Sequence, residues 1–225
     1  MSLLVTDKPS KHRNLRHRGS GGDLSVFAPR FIADRMRGFE RDIRICLTPI
    51  LATHRKGETH ACFPALAACC GAIEYLAALS IGIPAPIKRG MSRGHIQDFA
   101  RRYMAQPDYD EETMRILWDL FRNGTAHHGI TSGVWVDQHT QQSSRRLTWA
   151  IDERTGRPAV EVRKKVGTLT RHPPWDCAHT HVATVRLGQL ALDIPTAADQ
   201  LADDIAAGGK ALERFRVAME VLYPK

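Results

Sequence analysis

At 225 residues, with 43% apolar and 25% charged side chains, the chain can bury a substantial core without disulfide or metal staples. No run approaches the roughly eighteen apolar residues of a membrane span, and no apolar stretch follows the basic N-terminus, so a secretory signal is set aside and cytoplasmic residence is the expectation. A net charge of +8 and a pI near 9.5 favour polyanionic partners, nucleic acid above all, because released counterions drive binding to phosphate backbones.

Residues 1–23 read as a flexible basic arm. Lys8, Lys11, Arg13, Arg16 and Arg18 alternate with His12 and His17 ahead of Gly19-Ser20-Gly21-Gly22, with little apolar content to offset the entropy of ordering. Residues 24–225 read as one domain of mainly α, α+β class. It comprises a helical bundle over 24–130, a small antiparallel β insertion over 131–194 and a closing helix over 195–225.

The first helix is expected to start near Ala28-Pro29, proline suiting a first turn, with Ile32, Met36, Phe39, Ile43 and Cys46 at helical spacing. A second, over about Phe63 to Leu79, is apolar on nearly every face and belongs at the centre of the bundle. Glu74 is its one charged residue, and a carboxylate in such company needs a partner, for which an arginine from another helix would serve. Ser80 to Gly94 reads as a loop by its prolines and glycines, and a short helix follows near His95 to Met104. Lys88-Arg89 and Arg101-Arg102 are solvated charge or the edge of an RNA track. After Pro107, Asp110-Glu111-Glu112 supplies an acidic first turn, and Met114, Leu117, Trp118 and Phe121 give a clean helical face.

Beyond His128 the period shifts to two. Val134 and Val136 alternate with Trp135 and Asp137, and Leu147, Trp149 and Ile151 precede turn chemistry at Asp152–Pro158 and a second alternation at Val160 and Val162. This predicts a β-hairpin. The segment around Gly188 has no settled class. The last helix is expected from Pro195-Thr196, kinked at Gly208-Gly209. Trp118, Trp135 and Trp149 read as core residues. The five cysteines, two of them adjacent, read as reduced thiols rather than a disulfide or zinc framework.

The chemistry gathers at Leu120-Phe121-Arg122-Asn123-Gly124-Thr125-Ala126-His127-His128-Gly129. Arg122 is permanently charged and presents a planar fork of donors suited to phosphate oxygens. His127 holds or releases a proton near neutral pH. Asn123 both donates and accepts, and Asn123-Gly124 favours a turn that would fold the chain back so that Arg122 and His127 face one cavity. Arginine beside histidine, with no carboxylate cluster for magnesium, suits metal-independent phosphodiester chemistry that calls for no cofactor. The bland alternative is a capped helix end with solvated histidines.

Arg122-Asn123 followed by His127 resembles the signature of HEPN domains, in which an arginine, usually a polar neighbour, and a histidine four to six residues on recur together. The longer string also resembles the RNGL-x-H string of small bacterial proteins of that kind, with Thr125 where leucine is more usual. The resemblance covers residues 28–129. It implies a helical bundle, a homodimer that brings two motifs together, and metal-independent cleavage of RNA to a 2′,3′-cyclic phosphate, as in toxin–antitoxin or defence systems with a regulatory partner. By position, Arg122 would stabilise the scissile phosphate, His127 or His128 would act as general base or acid, Asn123 would position them, and Glu74 would partner Arg122. Members of the family that do not catalyse suggest the competing reading, a helical dimer that binds RNA or nucleotide or mediates protein interaction.

A second constellation, Asp176-Cys177-Ala178-His179-Thr180-His181 with His172 upstream, could begin a zinc site, but four ligands at structural spacing are not evident. Gly90-Met91-Ser92-Arg93-Gly94 lacks the lysine and hydroxyl of a P-loop.

Overall fold

The computed structural model describes residues 23–47, 61–82, 91–123, 133–137, 145–169 and 177–222. The basic arm, apart from Asp23, and the histidines of the motif, His127 and His128, lie outside the described residues.

Helix α1 spans Leu24–Leu47 and starts a turn earlier than expected, because Asp23 caps it: its carboxylate accepts from the Ser25 amide at 2.9 Å. Pro29 therefore lies inside the helix. Helix α2, Cys62–Ile81, is the expected central helix lengthened at both ends, and Gly82 closes it in the left-handed region at φ 67°. Helix α3 covers Met91–Tyr103, so the expected loop from Ser80 is shorter at both ends. Asp110 caps α4, Glu111–Ile116, by accepting from the Thr113 amide at 2.8 Å, and the chain runs on into a π-helical turn over Leu117–Arg122.

Helix α2 packs against α1, α3, the π-turn and two C-terminal helices. Against expectation, it is long and apolar enough by length and composition to cross a membrane, although half of that stretch is buried inside the bundle. Its apolar character comes from its place at the centre, where Leu66, Ile73, Leu76 and Leu79 are all fully enclosed.

The β region holds four strands, β1 Trp135–Asp137, β2 Arg145–Asp152, β3 Val160–Leu169 and β4 Cys177–Arg186, in the spatial order β1-β2-β4-β3. The sheet is mixed, not antiparallel. β2 runs parallel to β4, and both edge strands pair antiparallel to their neighbours. The expected hairpin between β2 and β3 is absent, because β4 inserts between them. The intervening segment is instead held on the bundle: Arg157 donates to Asp193 at 2.8 Å, the Gly156 amide donates to Gln189 at 3.1 Å, and the buried Tyr109 hydroxyl donates to Asp193 at 2.7 Å.

β4 passes directly into α5, Leu187–Ala206, so the closing helix begins eight residues before Pro195 and encloses it. Gly208 and Gly209, both at positive φ, end that helix outright, and α6, Gly209–Leu222, follows as a separate element. Helices and sheet share one core, in which Leu147, Val160, Ala183 and Val185 of the strands join the apolar faces of the bundle.

Candidate functional site

The π-turn organises the site. Its ladder of i to i+5 hydrogen bonds, such as the Asn123 amide to the Trp118 carbonyl, fits one more residue into the turn than an α-helix would. Burial is nearly continuous as a result: Leu117, Trp118, Leu120 and Phe121 are enclosed, and the half-buried Arg122 and Asn123 emerge at the end of an otherwise apolar segment. The C-terminal end of a helical segment also favours a cation, because unpaired carbonyls concentrate negative potential there.

Arg122 crosses to α2 and meets Glu74. One guanidinium nitrogen lies 3.0 Å from each carboxylate oxygen, and the other donates to the Asn123 side-chain oxygen at 3.3 Å. The guanidinium also lies 5.8 Å from the centroid of the Trp118 ring, within cation–π range. Carboxylate, carboxamide and indole thus fix the fork from three directions. The pair is only partly screened from water, with side-chain exposures of 27% for Arg122 and 38% for Glu74, so its stabilising value is modest while its orienting effect is large. Behind it, the enclosed Cys70 thiol is pushed well up from its ordinary pKa, by burial first and then by neighbouring Cys69, which keeps it neutral and unreactive.

Of the sequence-derived site residues, Glu74, Arg122 and Asn123 therefore come together. Asn123 keeps right-handed helical geometry (φ −67°, ψ −38°), so the helix does not turn at Asn123. The Trp118 platform and the π-turn escaped the sequence reading, since a helical stripe of Met114, Leu117, Trp118 and Phe121 looks the same with or without a widened turn.

The second constellation is dispersed along β4. His179 is buried, His181 is half-buried with Nδ1 2.8 Å from the Thr180 hydroxyl, and Cys177 lies at the strand's start. Among the described residues no three His, Cys, Asp or Glu side chains converge as metal ligands. An open cavity of about 580 Å³ lies between α3 and α6, lined by His95, Arg101, Arg102, Tyr103 and Arg214, but Asp98 and Asp204 tie down Arg101 and Arg102.

Sequence reasoning also missed a buried ion pair. Arg115 of α4 donates through both terminal nitrogens to Asp137 of β1, at 2.6 and 3.0 Å, and lies over the Trp135 ring. The inward residues of β1 are thus Trp135, as expected of a core residue, and Asp137, while Val136 faces solvent against the alternation of the valines.

Compared with models of known protein families, with curated proteins and with solved structures, the chain matches none.

Proposed function

We propose that the chain is a HEPN-like, metal-independent endoribonuclease working as a homodimer on RNA, with Glu74, Arg122, Asn123 and a histidine of the His127-His128 pair as its working groups. The observation that supports this reading is the convergence of Glu74 and Asn123 on Arg122. A carboxylate and a carboxamide orient a permanent cation at the end of an apolar helical segment, where a developing negative charge on a phosphate would be stabilised with little reorganisation.

The chemistry needs little else from the protein. The ribose 2′-oxygen attacks the adjacent phosphorus and loses its proton to a histidine acting as base. The bond from phosphorus to the 5′-oxygen breaks, that oxygen takes up a proton, and a 2′,3′-cyclic phosphate remains. Arg122 would hold the non-bridging oxygens as they gain charge. Glu74 and Asn123 act through Arg122 as positioning residues.

A second reading draws on the same ion pair. An arginine already neutralised by Glu74 also suits a non-catalytic helical dimer that binds RNA or nucleotide. Incubating the protein with mixed RNA in EDTA separates the two. The catalytic reading expects products ending in 2′,3′-cyclic phosphate, lost by at least about 100-fold in Arg122→Ala and His127→Ala, the scale at which removal of one charge-stabilising group acts. Cleavage that survives both substitutions overturns it, and so does RNA binding without cleavage by the unaltered protein.

A further inference from the structure

The sheet gathers a second set of cations that shares no residue with the Arg122 cluster. Asp137 pairs with Arg145 across β1 and β2, and Gly167 pairs with His179 across β3 and β4. Carried two residues back from the Leu147–His181 pair, the parallel β2–β4 register sets Arg145 beside His179. In the adjoining row Lys164 lies opposite His181. Arg145, His179, His181 and Lys164 thus occupy one end of the face that also carries buried Asp137 and Leu147, and there Lys164 is exposed and His181 half-buried. Among the described residues the negative groups beside them are Glu112 of α4, bonded to Arg145 at 2.7 Å and half exposed, and Asp137, already committed to Arg115.

Two features mark this end as more than solvated charge. The Nδ1 atom of buried His179 and the buried Nε of Arg145 have no hydrogen-bond partner among the described residues. A native interior rarely leaves such groups unmatched. The Cε1–Nε2 edge of the His179 ring also lies against Gly167, where a β-carbon would sit 2.9 Å from Cε1, so the strand makes room for an imidazole there. The cations repel one another too: burial, then Arg145 and Lys164, hold the His181 pKa below its ordinary value, against the weaker pull of Glu112. An anion with several acceptor oxygens beside Lys164 and His181 would relieve this repulsion. Along the β3 edge, exposed Lys164 and Lys165 carry the positive charge on toward a bulge between Lys164 and Gly167, while Arg163 is tied to Glu161 at 2.7 Å, and this extension favours a chain of phosphates over a single small anion.

We infer that this end of the sheet, built from Arg145, Lys164, His179 and His181, binds the phosphate backbone of single-stranded RNA, apart from the Arg122 site. The inference rests on the reading of RNA as the ligand. Binding favours protonated His181, so affinity rises as pH falls toward its titration range.

The test measures fluorescence anisotropy of a short, unstructured labelled RNA on the full chain in EDTA, across salt and from pH about 7.5 to 5.5. Lys164→Ala, on an exposed side chain, is expected to lower the slope of log affinity against log salt by about 0.7, one phosphate contact on a single strand. His181→Gln is expected to weaken the pH dependence. Arg122→Ala is expected to leave the Lys164 and His181 effects in place. Unchanged slope and pH profile in both sheet variants overturn the site, even where RNA is cut and the cleavage reading stands. The expected changes without any cleavage support it while that reading falls. Absence of salt-dependent RNA binding by the unaltered chain overturns it as well.

Discussion

Arg115 and Asp137 carry more structural weight than their exposed counterparts. Their side chains are 10% and 0% exposed, and the bidentate geometry matches fork to carboxylate. Arg115→Ala or Asp137→Ala should each cost about 3–5 kcal/mol, because either leaves a buried charge unmatched. Arg115→Met combined with Asp137→Leu should recover most of that loss, since two apolar groups leave no stranded charge. Urea denaturation of the three variants checks this, and equal losses in single and double variants would refute it. At the same scale the sequence was only partly legible. Glu74 stood out as a lone carboxylate on an apolar helix, so its need for a cation could be read directly. Asp137 could not be, because Val134 and Val136 on one side of the strand compete with Trp135 on the other, and nothing local says that Asp137 goes inward with Trp135.

Among the elements, helices were readable and strand neighbours were not. Period 3.6 identifies both an element and its buried face, as in α1 and α4, although α4 passes into the π-turn at Leu117; α2 was readable instead from its length and its continuous apolar character. Period 2 identifies a face but says nothing about which strand lies alongside. The turn-like Asp152–Pro158 therefore suggested a hairpin, whereas β4, arriving later, takes the place between β2 and β3. The passage from β4 to α5 was illegible for another reason: Gly188, just inside the helix, serves a close approach rather than a turn, since a β-carbon there would lie 2.6 Å from the Glu153 carbonyl oxygen. Where glycine does mark a boundary, the effect should be measurable. Gly82 ends α2 at φ 67°, and a β-carbon there would lie 2.9 Å from the Arg214 carbonyl oxygen on α6. Gly82→Ala should lose at least about 1 kcal/mol from backbone conformation alone, with a further loss from displacing α6. A thermal melt within error of the unaltered protein would contradict this.

At the scale of the whole molecule, bundle and sheet are fastened by apolar packing and by charge. Phe63 of α2 meets Trp149 of β2 edge to face at 5.2 Å, Arg115 reaches Asp137, and Arg145 reaches Glu112. With one shared core, the two regions should unfold together. Tryptophan fluorescence, which reports on Trp118 in the bundle and on Trp135 and Trp149 in the sheet, should give the same urea midpoint as far-ultraviolet circular dichroism. Separate midpoints would mean that the sheet stands independently of the helices.

The placement of β4 also governs the order in which this architecture can be assembled. A nascent chain emerging from the ribosome has made β1, β2 and β3 before the strand that joins β2 to β3 exists. Until residues 177–186 emerge, the inner edges of β2 and β3 lack the partner they pair with in the finished sheet. The core residues supplied by α5 and α6 are also still to come. The sheet therefore cannot close until β4 has emerged, and in that interval β2 and β3 are open to pairing with the wrong strand.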